Sequence, residues 1–395
     1  MSIRNHYLGG LNMARLVIST VGTSLLINRI DTDIDDNNWY KRLQQTANYS
    51  DDEVSQHHQD VKQVIEELKK RAETELYSNY TERIREASAE LNGIYALYNE
   101  TIEKGRSDTH LLVATDTAQG RIAAEIVESF LKSKGLTNTS IHVQPGLSTA
   151  SSEIFVEGMA KLIPGMQETI TACKKDPNYT ICFNLVGGFK ALQGYFNTIG
   201  MFYADEIIYV FEGSNTLITI PRLPVKVDVN KVEPYKVQLA MMDVGEINTS
   251  FEEAKKVPKD WVLVDGHEMT LSTWGQLIWN QCKDDLLSQN QPLTFPKIDY
   301  QNSFLDDYKK IEGNVEERVK LQLTLAKVSQ LLQKSNGDSS ILKQDRGLQY
   351  DKYTNIKGSI DHFRVTKGLR VSCTSSQGRL LLRHYGKEPD VNKNP

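Results

Sequence analysis

The 395-residue sequence has only four cysteines, at 173, 182, 282 and 373, and each stands alone. No two have the spacing of a metal clip or a redox pair, which excludes a disulfide scaffold and a zinc module and fits a reducing cytoplasm. No apolar run approaches the ~20 residues of a spanning helix, so no membrane is expected among its partners. The first twelve residues lack the apolar core of a secretory signal, and Met13 directly precedes the first strand, so residues 1–12 read as an upstream start or a flexible lead. The GxGxxG fingerprint is missing, which argues against an ordinary dinucleotide dehydrogenase. With 39% hydrophobic and 25% charged residues, the chain has the make-up of a globular protein of two or three domains.

The stretch NLVGGFKAL, residues 184–192, carries the most information. Tyr179 to Val186 is an apolar run expected as a buried strand, Gly187 and Gly188 permit a tight turn, and Lys190 falls in the first turn of the following helix. Backbone N–H groups and a cation would then face one anion, the arrangement of a phosphate cradle. Two glycines between a strand and a helix also serve close packing alone, so the neighbouring segments decide. RLVISTVGTSL at 15–25, HLLVATDT at 110–117, IHVQPGL at 141–147 and EIIYVF at 206–211 read as further strands, with helices at Ala118–Lys134 and Gly188–Phe202 between them. Such alternation predicts a doubly wound parallel sheet with ligands at the carboxyl ends of its strands. Four polar turns fall at that edge: Gly22-Thr23-Ser24, Thr115-Asp116-Thr117, Pro145-Gly146-Leu147-Ser148 and Gly187-Gly188-Phe189-Lys190.

Charge and punctuation divide the rest. Residues 31–105 are polar with helical charge spacing, strongest over Asp60–Tyr98, and read as a helical insertion. After the turn Glu212-Gly213-Ser214-Asn215, a strand over Thr216–Ile220 and an exit at Pro221 and Pro224 close the first domain. Residues 226–290 read as a small connector of winged-helix type: a helix over Ser250–Lys256, the hairpin WVLVDGHEMTL and a helix over Ser272–Ser288. A linker at 289–299 leads to a C-terminal α+β domain at 300–395, with helices Ser303–Ile311 and Val315–Gln333 and strands at Tyr350–Tyr353, Asp361–Thr366, Leu369–Thr374 and Arg379–Tyr385. Residues 301–395 hold 17 Lys and Arg against 11 Asp and Glu, although the whole chain has a net charge of −5, so a polyanionic target is expected at this end. Its sheet supplies Lys352, Arg364, Arg370, Arg379, Arg383, His384 and Lys387 with no acidic cluster to hold a metal, and no cofactor is expected. That inventory suits RNA cleavage in which the substrate's own 2′-hydroxyl attacks and cations stabilise the phosphate.

The turns VGTS at 21–24, ATDT at 114–117 and GGFKA at 187–191 resemble those of the CRISPR-associated Rossmann-fold (CARF) sensors. Residues 300–395, reading FLDDYKK, GLQYDKY, DHFRV, GLRVSC and GRLLLRHYGKEPDV, resemble the RelE-family toxins, ribosome-dependent messenger RNA interferases. The combination is similar to the CRISPR-Cas-associated messenger RNA interferases. The resemblance implies a Rossmann-like CARF domain over 13–225, a homodimer that binds a cyclic oligoadenylate such as cyclic tetra-adenylate as its activator, and an effector acting on messenger RNA at the ribosome. It implies ligand contacts from Thr23, Ser24, Thr115, Gly187, Gly188 and Lys190, with Ser24 and Lys190 matching residues that in some members also open the ring slowly. On the effector it implies Arg370 at the scissile phosphate, Arg364 and Lys352 as further phosphate contacts, and His384 or Tyr385 with Lys387 beside them for proton transfer. Glu388 replaces an arginine of some members and no late tyrosine precedes Pro395, which leaves the general base open. Two rivals stand beside this reading. Arg379 and His384 form the R-x4-H spacing of HEPN ribonucleases, on a segment that reads as a strand; a CARF transcription regulator would use 226–290 to read DNA, without a dense basic helix there.

Overall fold

Strands buried on both faces need partners on both edges and helices above and below, and the first unit is built to that requirement. The computed structural model describes residues 14–36, 38–78, 80–211, 215–249, 252–353 and 359–395. The chain divides into two compact units, Met1–Val225 and Lys226–Pro395. In the first, the order is β1 (Arg15–Thr20), α1 (Ser24–Ile27), α2 (Asn38–Gln45), α3 (Asp51–His57), α4 (Gln59–Leu76), α5 (Thr81–Ala87), α6 (Ala89–Leu97), β2 (Thr109–Ala114), α7 (Ala118–Ser133), β3 (Thr139–Val143), α8 (Ser152–Cys173), β4 (Thr180–Asn184), α9 (Lys190–Tyr203), β5 (Glu206–Val210) and β6 (Leu217–Pro221).

These strands form one sheet in the order β3-β2-β1-β4-β5-β6, parallel throughout except for the antiparallel edge strand β6. Ile18 of β1 lies between Leu111 of β2 and Phe183 of β4, and Leu16, Val17 and Ile18 are fully buried. The winding reverses between β1 and β4, and at such a reversal a crevice opens beyond the carboxyl ends. The mixed α/β architecture and its parallel-dominated sheet match the expectation. Helix α9 starts two residues later than expected, because Gly188 sits at φ +90°, outside the helical region. The insertion is helical as expected and divides into α2–α6. Ser50 and Glu53 form a reciprocal capping box at the start of α3, and the Ser88 hydroxyl accepts from the Leu91 N–H to begin α6. The expected lead at 1–12, and Glu212, Gly213 and Ser214 of the expected turn, lie outside the described residues.

The second unit runs through α10 (Val229–Val232), α11 (Lys236–Asp243), β7 (Ile247–Asn248), β8 (Val262–Asp265), β9 (Glu268–Leu271), α12 (Thr273–Leu287), β10 (Ile298–Tyr300), α13 (Asn302–Lys310), α14 (Val315–Lys334), β11 (Asp351–Lys352), β12 (Asp361–Arg364), β13 (Leu369–Ser376), β14 (Arg379–Lys387) and α15 (Glu388–Lys393). A three-stranded sheet has the order β7-β9-β8 and a five-stranded one β10-β14-β13-β12-β11. One core joins Leu239 and Met241 of α11 and Trp279 of α12 to Leu325 of α14, Phe363 of β12 and Leu382 of β14. The segment read as a connector therefore shares its apolar interior with the last hundred residues. The linker at 289–299 ends inside the sheet: β10 pairs parallel with β14, the Ser329 hydroxyl donates to the Pro296 carbonyl at 2.6 Å, and the Arg318 guanidinium donates to the Ser288 carbonyl at 2.8 Å. Of the helix expected over Ser250–Lys256, a short 3-10 turn at Ala254–Lys256 is present, and Ser250 and Phe251 lie outside the described residues. Among the described residues no helix is long and apolar enough to cross a membrane.

Phe183 lies at the centre of the parallel sheet, fully buried, its ring centroid 5.8 Å from that of Phe196. Phe183→Ala is expected to cost about 3–5 kcal/mol in the first unit. Urea unfolding checks this, and a loss below about 1 kcal/mol would contradict the packing described here.

Candidate functional site

All four polar turns converge on one cavity of about 480 Å³ at the carboxyl edge of the parallel sheet. Its lining includes Gly22, Thr23 and Ser24 after β1, Thr115 and Thr117 after β2, Ser148 after β3, and Gly187, Gly188 and Phe189 after β4. Thr23, Ser24, Thr115, Gly187 and Gly188 are thus brought together. Lys190 is the exposed first residue of α9, next to the lining residue Phe189 but not itself part of the lining. The Ser24 hydroxyl is buried with no hydrogen-bond partner. Thr115 and Thr117 hold each other at 3.0 Å, and Thr117 also accepts from the Gly120 N–H to start α7. The arrangement offers hydroxyls and glycine backbone to a ligand rich in phosphate and ribose oxygens.

The helical insertion adds Ala47, Asn48 and Ala89 to the lining, and behind it supplies a buried carboxylate. Glu90 is fully buried; its Oε1 accepts from the Gly22 N–H at 2.6 Å and its Oε2 from the Ser88 hydroxyl at 2.7 Å. A Cβ at Gly187 would come within 2.0 Å of that Oε1, so the turn after β4 closes on Glu90 only because position 187 has no side chain. The Gly187 carbonyl is held by the Thr20 hydroxyl at 2.6 Å and the Gln193 amide at 3.1 Å. Asn184 donates to the Ser19 hydroxyl and to the Glu90 carbonyl, tying β1, β4 and α6 together beneath the turns. At the rim, Asn48 accepts from both the N–H and the hydroxyl of Thr149 at 3.0 and 2.6 Å. Burial raises the Glu90 carboxyl above its ordinary value, opposed in part by the hydrogen bonds from Gly22 and Ser88.

A second constellation lies on the five-stranded sheet. Arg364 and Arg370 are directly opposite each other on β12 and β13, on the face away from the buried pair Phe363 and Val371. Arg370 Nη2 stands 2.7 Å from Glu388 Oε1 of α15, and the Nε atoms of both arginines are buried without a partner. His362, two residues before Arg364, shares that face; its ring centroid is 4.5 Å from that of Tyr353, whose hydroxyl donates to Asn392 Oδ1 at 2.8 Å. Burial, and then the charge of Arg370, lower the His362 pKa below 6.5 and leave the imidazole neutral at pH 7. Neither His362 nor Tyr353 was singled out from the sequence. The spacing His362-x-Arg364 on a strand was the available signal, since alternate residues share a face.

The other expected effector residues are dispersed. Tyr385 is a correction: its ring is buried opposite Val371 on the core side, its hydroxyl donates to Glu317 at 2.8 Å, and burial pushes its phenol well above the usual range. The cause is a β-bulge between Ser372 and Cys373, which shifts the register so that Leu382 and Tyr385, three residues apart, both face inward. His384 pairs in register with Ser372, and its Nδ1 is 3.0 Å from Asp307 Oδ2. Arg379 makes two 2.7 Å contacts with Asp299, so the R-x4-H pair lies on a strand with each member bound to its own aspartate. Arg383 donates to the Pro395 carbonyl oxygen. Lys352 and Lys387 are exposed on β11 and at the end of β14. Among the described residues no group of three or more His, Cys, Asp or Glu has the geometry to hold a metal ion.

Residues 85–223 match the model of a family described as CRISPR-associated protein (Cas_APE2256). The match covers about a third of the chain, from α5 to just past β6, and includes Glu90 and three of the four turns that line the cavity. Over that span the chain is similar to a CRISPR-associated protein family, and the match supports a CRISPR association.

Glu90 makes the stability of the first unit depend on pH. A folded-state pKa raised above 4.5 means that the native unit keeps a proton the unfolded chain has lost. Stability is then greatest at low pH, falls as pH rises from about 4.5 through the folded pKa, and levels off above it. A glutamine amide keeps both contacts, accepting from Gly22 and donating to Ser88, without that titration. The melting temperature of Glu90→Gln relative to the native chain is expected to rise between about pH 4 and pH 8. An unchanged difference across that range contradicts the assignment.

Proposed function

We propose that this chain is a homodimeric, ligand-gated ribonuclease of CRISPR defence: a cyclic oligoadenylate, cyclic tetra-adenylate first among them, binds in the cavity of the amino-terminal unit and activates messenger RNA cleavage by the carboxyl-terminal one. The observation that carries the reading is the convergence of the four turns on one hydroxyl-lined cavity, within a segment similar to a CRISPR-associated family. A ring of phosphates and riboses asks for many hydrogen bonds, and Thr23, Ser24, Thr115, Thr117, Ser148 and Thr149 offer hydroxyls for them, while Val21, Ile27 and Phe189 give the bases apolar surface. A four-fold ring also suits two copies of the chain related by a two-fold axis. Ser24, with an unsatisfied buried hydroxyl, is the residue we assign to slow opening of the ring, with Lys190 as its cationic partner.

The effector reading rests on Arg364 and Arg370 side by side. Two guanidinium groups directly opposite each other in register repel unless an anion lies between or beside them, and Glu388 pairs with Arg370. A phosphodiester in the position of the Glu388 carboxylate would be held by charge-assisted hydrogen bonds as negative charge accumulates on it. A ribosome would supply what this face lacks, a messenger held and bent with its 2′-oxygen in line.

Cleavage of messenger RNA on programmed ribosomes, with and without cyclic tetra-adenylate, tests this. The native chain is expected to require both; Arg370→Ala is expected to lose about 10²–10³-fold, and Lys190→Ala to need more ligand. Equal cutting of free RNA would favour a HEPN-like activity. Ligand binding with no cutting would favour a transcription regulator.

A further inference from the structure

We propose that His362 is the general base of the cleavage site, taking the proton of the substrate's 2′-hydroxyl on its Nε2; this rests on the ribonuclease reading above. His362 shares the sheet face of Arg364 and Arg370, and position 362 is directly opposite Ser372. Its Nδ1 is cut off from solvent without a partner while the residue as a whole is partly exposed, so a substrate meets Nε2. The neighbouring Tyr353 ring fixes the plane of the imidazole. The charged and titratable groups around it are Arg370 on β13, Asp351 on β11, Asp361 on its own strand, Glu388 on α15 and Tyr353. Burial and Arg370 favour the neutral ring; the three carboxylates act the other way and are outweighed. A neutral imidazole beside two guanidinium groups is the form that accepts a proton.

In the step, Nε2 takes the proton from O2′ as O2′ bonds to phosphorus and the P–O5′ bond breaks. Arg370, freed from Glu388, and Arg364 hold the non-bridging oxygens. The departing 5′ oxygen takes a proton from water, the products are a 2′,3′-cyclic phosphate and a 5′-hydroxyl, and His362 returns its proton to solvent. His384 lies one strand further from Arg364, opposite Ser372 on β14, and its Nδ1 is turned to Asp307 at 3.0 Å.

The test is the pH dependence of single-turnover cleavage on programmed ribosomes with cyclic tetra-adenylate, for the full native chain and for His362→Gln. The native rate is expected to fall tenfold per pH unit below a pKa under 6.5. His362→Gln is expected to lose about 10²–10⁴-fold, to keep RNA binding, and to lose that acid limb. Because a variant can fail by misfolding, the His362 ring is also titrated by NMR in the native chain, where its pKa is expected to coincide with the limb. A native chain that cuts while His362→Gln retains the limb and loses less than tenfold overturns the His362 assignment alone, as does a ring that titrates away from the limb. A native chain that cuts no RNA overturns the ribonuclease reading, and this assignment with it.

Discussion

Parallel pairing of β1 with both β2 and β4 sets where every polar turn of the amino-terminal unit can go. Strands that run the same way end on the same edge, so the loops after β1, β2, β3 and β4 have no choice but to meet there. The apolar core under them supplies the rigidity that lets a ligand site be made of short hydroxyl-bearing turns. The buried Glu90 then ties the turns after β1 and β4 to the insertion. Its contact with the Gly22 N–H and the missing side chain at Gly187 fix the distance between those two turns. A side chain at Gly188 would also meet Thr20 Cβ at 3.0 Å, so the approach is tight from both sides.

The carboxyl-terminal unit solves a different problem. Its sheet places like charges opposite each other, an arrangement that costs stability in a face meant only for water. Glu388 of the short α15 offsets part of that cost by meeting Arg370, and Asn392 of the same helix accepts from the Tyr353 hydroxyl. On the reading proposed above, a phosphate oxygen of the substrate would take the place of the Glu388 carboxylate beside Arg370. The core side carries no such tension: Phe363, Val371, Leu382 and Tyr385 pack together with the helices of the same unit.

The strands of the first sheet were legible because each is a short apolar run closed by glycine or hydroxyl residues, and the convergence of the turns followed from their alternation with helices. The contribution of the insertion was not legible. Glu90 is the second residue of the apolar helix α6, where a carboxylate reads as a first-turn charge facing water, and Asn48 lies in the turn after α2; nothing local says that one is buried and the other reaches Thr149. Strand β10 is three residues long and follows a proline, too short for a period to show. On the five-stranded sheet, period-two reading from Leu380 and Leu382 would send His384 inward and Tyr385 outward. The bulge at Ser372/Cys373 reverses this, and bulges leave no reliable mark in a single sequence. His362 stands two residues before Arg364 on β12, so strand alternation alone puts both on one face.

The hydroxyl-lined cavity of the first unit is proposed above as a cyclic nucleotide site. Calorimetric titration of the full chain with cyclic tetra-adenylate, against linear tetra-adenylate as the comparison, addresses it most directly. On that proposal, saturable binding of one ring per two chains is expected, with the linear form bound far more weakly. No measurable binding of the ring, or equal binding of ring and linear chain, would contradict it.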